Sequence, residues 1–261
     1  MPDHTEAHTG AGHDAVRDAV LADEPYTGLV TDSEVVYRGR VWDVRRDTVD
    51  LGGSTVVREY IDHTGAVAVL ALDDDDRALL IRQYRHPIRS KDWELPAGLL
   101  DMTGEPPLDA AKRELAEEAD VVADRWNVLV EFASTPGGNN EVIRVYLARG
   151  VHAASEAFAR EEEEADIEVR WVPIDEVVQG VLERRLRNAP LSIAVLAAVA
   201  SRADGYASLG DADQPLKRGS WLTRPLDGHG SASGDSGSGS GSGADSEGSG
   251  SVQPQAEDSA R

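Results

Sequence analysis

Apolar and polar positions alternate with a period near two in three places early in the chain: Val35-Val36-Tyr37, residues 41–49 with Trp42 and Val44 alternating, and residues 55–61. That period predicts three strands, with Gly39 and Gly52-Gly53 in the turns between them. A three-stranded meander is marginal alone; it is expected to pack on the rest of the chain or on a second copy. Residues 66–72 form an unbroken apolar run, as in a buried strand, and 78–84 return as another after the polar turn at 73–76. Further strands are expected at 127–133, at 142–148, and where Ile167, Val169 and Trp171 alternate. Residues 174–186 and 191–203 carry a helical pattern, with Asp175 and Asn188-Ala189-Pro190 at their starts.

Between the strands lies one strongly helical stretch, from Leu108 to Ala119. Pro106 and Pro107 suit its first turn, where a missing N–H costs nothing. Leu108, Ala111, Leu115 and Ala119 fall on an apolar side, while Glu114, Glu117 and Glu118 share the other. Three adjacent carboxylates repel one another, and a hard divalent cation such as Mg²⁺ or Mn²⁺ relieves that repulsion while keeping waters for a phosphate ligand. The alternative is a solvated acidic face, in a chain with 48 Asp and Glu against 26 Lys and Arg. Chance would still give this spacing of four Glu and one Arg in only roughly one of 10⁵ registers, which favours a site.

Composition narrows the class of function. The net charge of −22 argues against binding nucleic acid through its phosphates, which calls for basic patches. No apolar run reaches transmembrane length, there is no cysteine, and residues 1–22 lack the basic start and apolar centre of a secretory signal. A cytoplasmic protein is expected, without membrane or nucleic-acid partners. Residues 1–27 are polar, and the spaced His4, His8 and His13 read as part of a mobile terminus rather than a metal site. Residues 15–21 offer at most a short frayed helix. From 227 to 261 the chain is Gly/Ser repeats with scattered acids, too poor in apolar residues to offset the entropy of ordering. The expected order is therefore a disordered start (1–27), the meander (28–62), a catalytic domain (63–226) and a disordered tail (227–261).

Residues 98–121 resemble the box of the Nudix hydrolases, G-x5-E-x7-R-E-U-x-E-E-x-G-U with U a bulky aliphatic. Glu105, Arg113, Glu114, Leu115, Glu117, Glu118 and Val121 match in register. Two positions depart. Leu99 stands where the first glycine belongs, and one extra residue between Gly98 and Glu105, taken up at Thr103-Gly104, would restore the pattern. Asp120 replaces the second glycine; Asp tolerates the left-handed conformation that a helix end calls for. The resemblance implies an α/β/α sandwich around a mixed sheet, which the strand and helix order supports independently.

The flanks are similar to the ADP-ribose pyrophosphatase subfamily of actinobacterial type: Gln83-Tyr84-Arg85, residues 93–98, residues 136–141, and Glu-Glu-Ala-Asp at 163–166. The resemblance implies Mg²⁺-dependent cleavage of ADP-ribose to AMP and ribose 5-phosphate; another nucleotide sugar, or binding without cleavage, are the alternatives. It implies Glu114, Glu117, Glu118 and the carbonyl of Ala97 as metal ligands, with Glu117 and Arg113 in the catalytic machinery and Arg113 pairing with Glu105. The base would be Glu163 or Glu164, in an acid run whose other reading is a solvated loop. Arg58, Arg85, Glu94 and Glu141 would bind substrate, and Tyr37 or Trp42 would stack on adenine or simply fill the core. A homodimer with exchanged N-terminal strands would bring Arg58 into the neighbour's site.

Overall fold

The structure, a computed structural model, describes residues 21–24, 26, 28–155 and 166–216. The helix expected at 15–21 lies outside them but for Leu21. So do the acid run with Glu163 and Glu164, the tail at 227–261, and most of the first 27 residues.

Three antiparallel strands, β1 (Leu29–Tyr37), β2 (Asp43–Asp50) and β3 (Thr55–Asp62), form a sheet in the order β1-β2-β3. The turn from β2 to β3 needs a left-handed residue, and Gly52 supplies it at φ 79°. Charge pairs cross the strands: Arg46 contacts both Glu34 (3.1 Å) and Glu59 (2.6 Å), and Arg45 meets Asp62 at 3.0 Å. Leu29, Val30, Tyr37 and Val57 are exposed on this sheet.

The chain then builds a mixed sheet. Its strands are β4 (Ala66–Leu72), β5 (Arg77–Arg85), β6 (Ser90–Glu94), β7 (Ala97–Leu99), β8 (Val121–Ala133), β9 (Val142–Ala153), β10 (Glu168–Pro173) and β11 (Gly210–Asp211). They run in the order β10-β5-β4-β9-β8-β11, with β6 on β5 and β7 on β4. β4 and β9 pair in parallel, Ala66 opposite Ile143 through Leu72 opposite Arg149, and the other ladders are antiparallel. The parallel pair is central and covered on both faces, which is why 66–72 reads as continuous apolar sequence.

The period of two sorts each central strand between two cores. Ala68, Leu70, Val145 and Leu147 face α2 (Ile174–Leu182) and α3 (Ala189–Arg202), packing on Ile174, Val177, Leu191 and Val195. Val67, Val69, Tyr146 and Ala148 face α1 (Pro107–Ala119), packing on Ala110, Ala111 and Leu115. The result is the expected helix–sheet–helix sandwich. Each buried Val, Leu or Ile contributes about 1.5–3 kcal/mol relative to an exposed one.

Some boundaries differ from the sequence reading. β8 begins at Val121, not 127, because its first half continues the ladder to β9 through the exposed Asp124 and Arg125, which break the apolar pattern. α2 ends at Leu182 rather than 186: Arg184 turns left-handed at φ 63° and the Leu186 N–H returns to the Gly180 carbonyl at 3.1 Å. Gly180 permits this, since a Cβ there would meet the Leu186 side chain at 2.8 Å. β6, β7 and β11 are too short to show a period.

Candidate active site

The acidic helix α1 is placed at both ends by its flanking residues. Pro106 caps its start, its carbonyl accepting from the N–H groups of Asp109 and Ala110. Just before, the turn closed by the Glu105 N–H on the Met102 carbonyl (3.2 Å) holds Gly104 at φ 82°. At the other end Asp120 adopts φ 54°, ψ 35°, and its N–H reaches the Ala116 carbonyl at 3.0 Å. The left-handed turn expected where Asp replaces glycine is therefore made.

Arg113 organises the carboxylates. Its Nε and Nη2 donate to the two oxygens of Glu105 at 3.0 and 3.1 Å, pinning the loop before the helix to its middle. Its Nη1 reaches Glu114 at 2.7 Å and Glu117 at 3.0 Å. These bonds, those to Glu105 first, raise the guanidinium further above its ordinary value, and the same bonds hold the Glu105 carboxyl below its own. Glu118 is 5% exposed and accepts the Ala97 N–H at 2.9 Å. Gly98 lies beside Glu114 so closely that a Cβ would overlap its carboxylate. That close approach is a physical reason for glycine at 98, the residue next to the pattern's expected place.

Among the described residues no three carboxylate or imidazole groups already converge as a metal cage. The donor set nevertheless fits a hard divalent ion: three carboxylates within two turns of one helix, two of them neutralised in part by a single guanidinium, and a bare glycine backbone against them.

Ala97 and Gly98 also line a cleft of about 570 Å³, which brings together Arg85, Glu94 and Glu141 from the sequence reading. Glu94, 4% exposed, takes Arg85 in a fork, Nε to Oε1 at 3.0 Å and Nη2 to Oε2 at 2.7 Å. Trp42 lines this cleft and Tyr37 does not. Arg58 lies elsewhere: it is exposed on β3, donates to the Val57 carbonyl at 2.9 Å, and lines a second cleft of about 660 Å³ that shares Asn139 and Glu141 with the first.

Sequence reasoning missed His63, and singled out Asn140 only as part of residues 136–141. His63 sits 3.3 Å from Glu141 and stacks on Trp42, and Asn140 bonds the His63 N–H and Asp62. A lone histidine has no spacing to betray it, and only its place between a turn glycine and two strands was available as a signal. Asn188-Ala189-Pro190, which also line the cleft with Arg187, read only as a helix start; Asn188 does cap α3, accepting the Leu191 N–H at 3.0 Å.

Residues 62–193 match the family model of the NUDIX domain. An ADP-ribose pyrophosphatase of Mycobacterium tuberculosis is 41% identical over 194 residues, 74% of this chain and 90% of the relative. One from Bacillus subtilis is 32% identical, over 62% of this chain and 87% of its own. A methanol dehydrogenase activator of Bacillus methanolicus is 35% identical, over 62% and 88%. The crystal structure of an ADP compounds hydrolase superimposes with a TM-score of 0.58 at 22% identity, covering 70% of this chain and 99% of that one, a likeness of fold. The box in register, the arginine-bound carboxylates beside a cleft and these relatives lead to one conclusion: the chain belongs to the Nudix family, as a hydrolase of nucleoside-diphosphate linkages.

Proposed function

We propose that the chain hydrolyses ADP-ribose to AMP and ribose 5-phosphate, with Mg²⁺ (Mn²⁺ next) held by Glu114, Glu117, Glu118 and the Ala97 carbonyl. The observation that carries the reading is the double role of Ala97–Gly98: the pair lines the cleft, and there Ala97 holds Glu118 through its N–H while Gly98 leaves room for Glu114. The names of the relatives from M. tuberculosis and B. subtilis support the substrate. The ion, when bound, neutralises nonbridging phosphate oxygens and makes a bound water more acidic.

The protein's own groups do the rest. Arg113 ties the Glu105 loop to the helix and keeps Glu114 and Glu117 side by side. Glu94 fixes Arg85 at the cleft wall, where a cation balances pyrophosphate charge. Glu163 or Glu164 accepts the proton of the attacking water. Arg58 belongs to a neighbouring copy's site in a homodimer with exchanged N-terminal strands, a reading supported by the exposed apolar residues of β1 and β3. A cytoplasmic setting completes this reading; no described helix is long and apolar enough to cross a membrane.

A product assay tests it, over ADP-ribose, ADP-glucose, NADH and diadenosine polyphosphates with Mg²⁺. ADP-ribose is expected to show the highest kcat/KM, with AMP and ribose 5-phosphate as products and EDTA abolishing turnover. A higher kcat/KM for another compound in the panel would displace ADP-ribose as the substrate.

A further inference from the structure

His63 follows β3 directly and is 8% exposed. Its Nδ1 accepts the Gly65 N–H at 3.0 Å. A backbone N–H only donates, so Nδ1 carries the lone pair and the proton of the neutral ring sits on Nε2. Nε2 is the atom 3.3 Å from Glu141 Oε1. Trp42 covers one face of the ring, 5.0 Å between centroids at 28°. The main chain is fixed against the same loop: the His63 N–H donates to Asn140 Oδ1 at 2.7 Å, and Asn140 Nδ2 donates to Asp62 Oδ1 at 2.8 Å. Burial lowers the imidazole's affinity for a proton and outweighs the opposing charge of Glu141. A proton on Nδ1 would also face the Gly65 N–H donor to donor.

We propose that His63 is a positioning residue, a neutral imidazole of one tautomer whose Nε2–H orients the Glu141 carboxylate in the cleft and leaves it an anionic acceptor for sugar hydroxyls. The proposal rests on the reading that Glu141 contacts the substrate. A cation behind Glu141 would cancel its charge; a neutral donor fixes the geometry and preserves it. A carboxylate that keeps its charge repels phosphate oxygens and accepts from hydroxyls. In a ligand with an anionic centre and hydroxyl-rich ends, the Glu141 end of the cleft therefore takes a ribose.

The test is steady-state kinetics on the full chain with ADP-ribose and with analogues deoxygenated in one ribose or the other. Wild type, His63→Phe, His63→Gln and Glu141→Gln are compared, with melting temperatures alongside. His63→Phe keeps a ring against Trp42 but loses the donor. It is expected to raise KM for ADP-ribose about tenfold, the scale of one hydrogen bond to a charged group, with kcat within about threefold. KM for one of the deoxy analogues should stay unchanged. His63→Gln, whose amide reaches the Nε2 position, should restore the wild-type KM. Should His63→Phe fail to fold, His63→Asn, which keeps an acceptor for Gly65 and falls short of Glu141, replaces it with the same expectations. ¹⁵N spectra of the wild-type imidazole should show a protonated Nε2 and a bare Nδ1. Equal shifts in KM for all substrates, a fall in kcat at constant KM, or a protonated Nδ1 would overturn the proposal. If Glu141→Gln leaves every KM unchanged, the reading of Glu141 itself fails and the proposal with it. If Glu141→Gln raises KM while the His63 variants do not, only the role of His63 fails.

Discussion

The backbone N–H of Ala97 donates to Glu118 Oε2 across 2.9 Å, tying the last turn of the box helix to the lining of the cleft. Glu118→Gln keeps an oxygen able to accept this bond and removes the charge. Its kcat at saturating Mg²⁺ is expected to fall by about two to four decades, the scale of other lost electrostatic stabilisation. The melting temperature should barely move. Near-wild-type turnover would mean that this carboxylate has no part in the chemistry.

Gly98→Ala attacks the same junction from the backbone. The new methyl overlaps the Glu114 carboxylate, so the strand or the side chain must shift. A stability loss of about 1–3 kcal/mol is expected from overpacking, together with a higher Mg²⁺ concentration for half-maximal turnover. Denaturant titration and a metal titration check the two effects separately. A variant indistinguishable from wild type in both would show that Glu114 has room to move away without consequence.

Glu105 gives a pH signature. Its carboxyl is held below the ordinary 4.5 by the hydrogen bonds from Arg113. A group with a depressed value in the folded state contributes stability that is present above 4.5 and lost as the pH falls below it, where the folded chain must give up an interaction to take the proton. The melting temperature of Glu105→Gln is therefore expected to lie below that of wild type at neutral pH, with the two curves converging on acidification. Parallel curves would show that the pair contributes no stability of its own.

The attacking water needs a proton acceptor outside the box, because the box carboxylates are assigned to the metal. Either Glu163→Gln or Glu164→Gln, but not both, is expected to lower kcat strongly while leaving metal affinity nearly intact. Glu161→Gln should be close to silent. The acid limb of the wild-type pH–rate profile should be lost in that variant. If none of the single changes at 161–164 moves kcat by more than about twofold, Glu141 is the next candidate.

The parts of this molecule legible in the sequence are those where one local rule decides. The strand Ala66–Leu72 is a single apolar run because both faces are buried, so the run itself marks its bounds. The box helix follows from proline placement, apolar spacing and an Asp able to turn left-handed at position 120. What escaped reading depends on distant partners. Glu94 gives no hint in sequence that Arg85 forks onto it, nine residues away across the β5–β6 ladder. His63 gains its role from Glu141, 78 positions later by subtraction of the two residue numbers, and from a tautomer fixed by Gly65. Arg58 is a candidate on resemblance alone, and within one chain it lines the neighbouring cleft, apart from Arg85 and Glu94.

Ile61 forms a bridge with Asn139, its N–H bonded to the Gly138 carbonyl at 3.0 Å, one residue before the strand ends at Asp62. Mechanically, the small sheet is a handle on the loop whose Asn139 and Glu141 line the cleft. A pull that peels β3 away must break this bridge together with the bonds that join Asn140 to His63 and Asp62. Amides at 61–63 and 138–141 should therefore exchange with deuterium as one cooperative unit. Whatever steadies the N-terminal strands then sets the order of the cleft, with no contact to the cleft of its own.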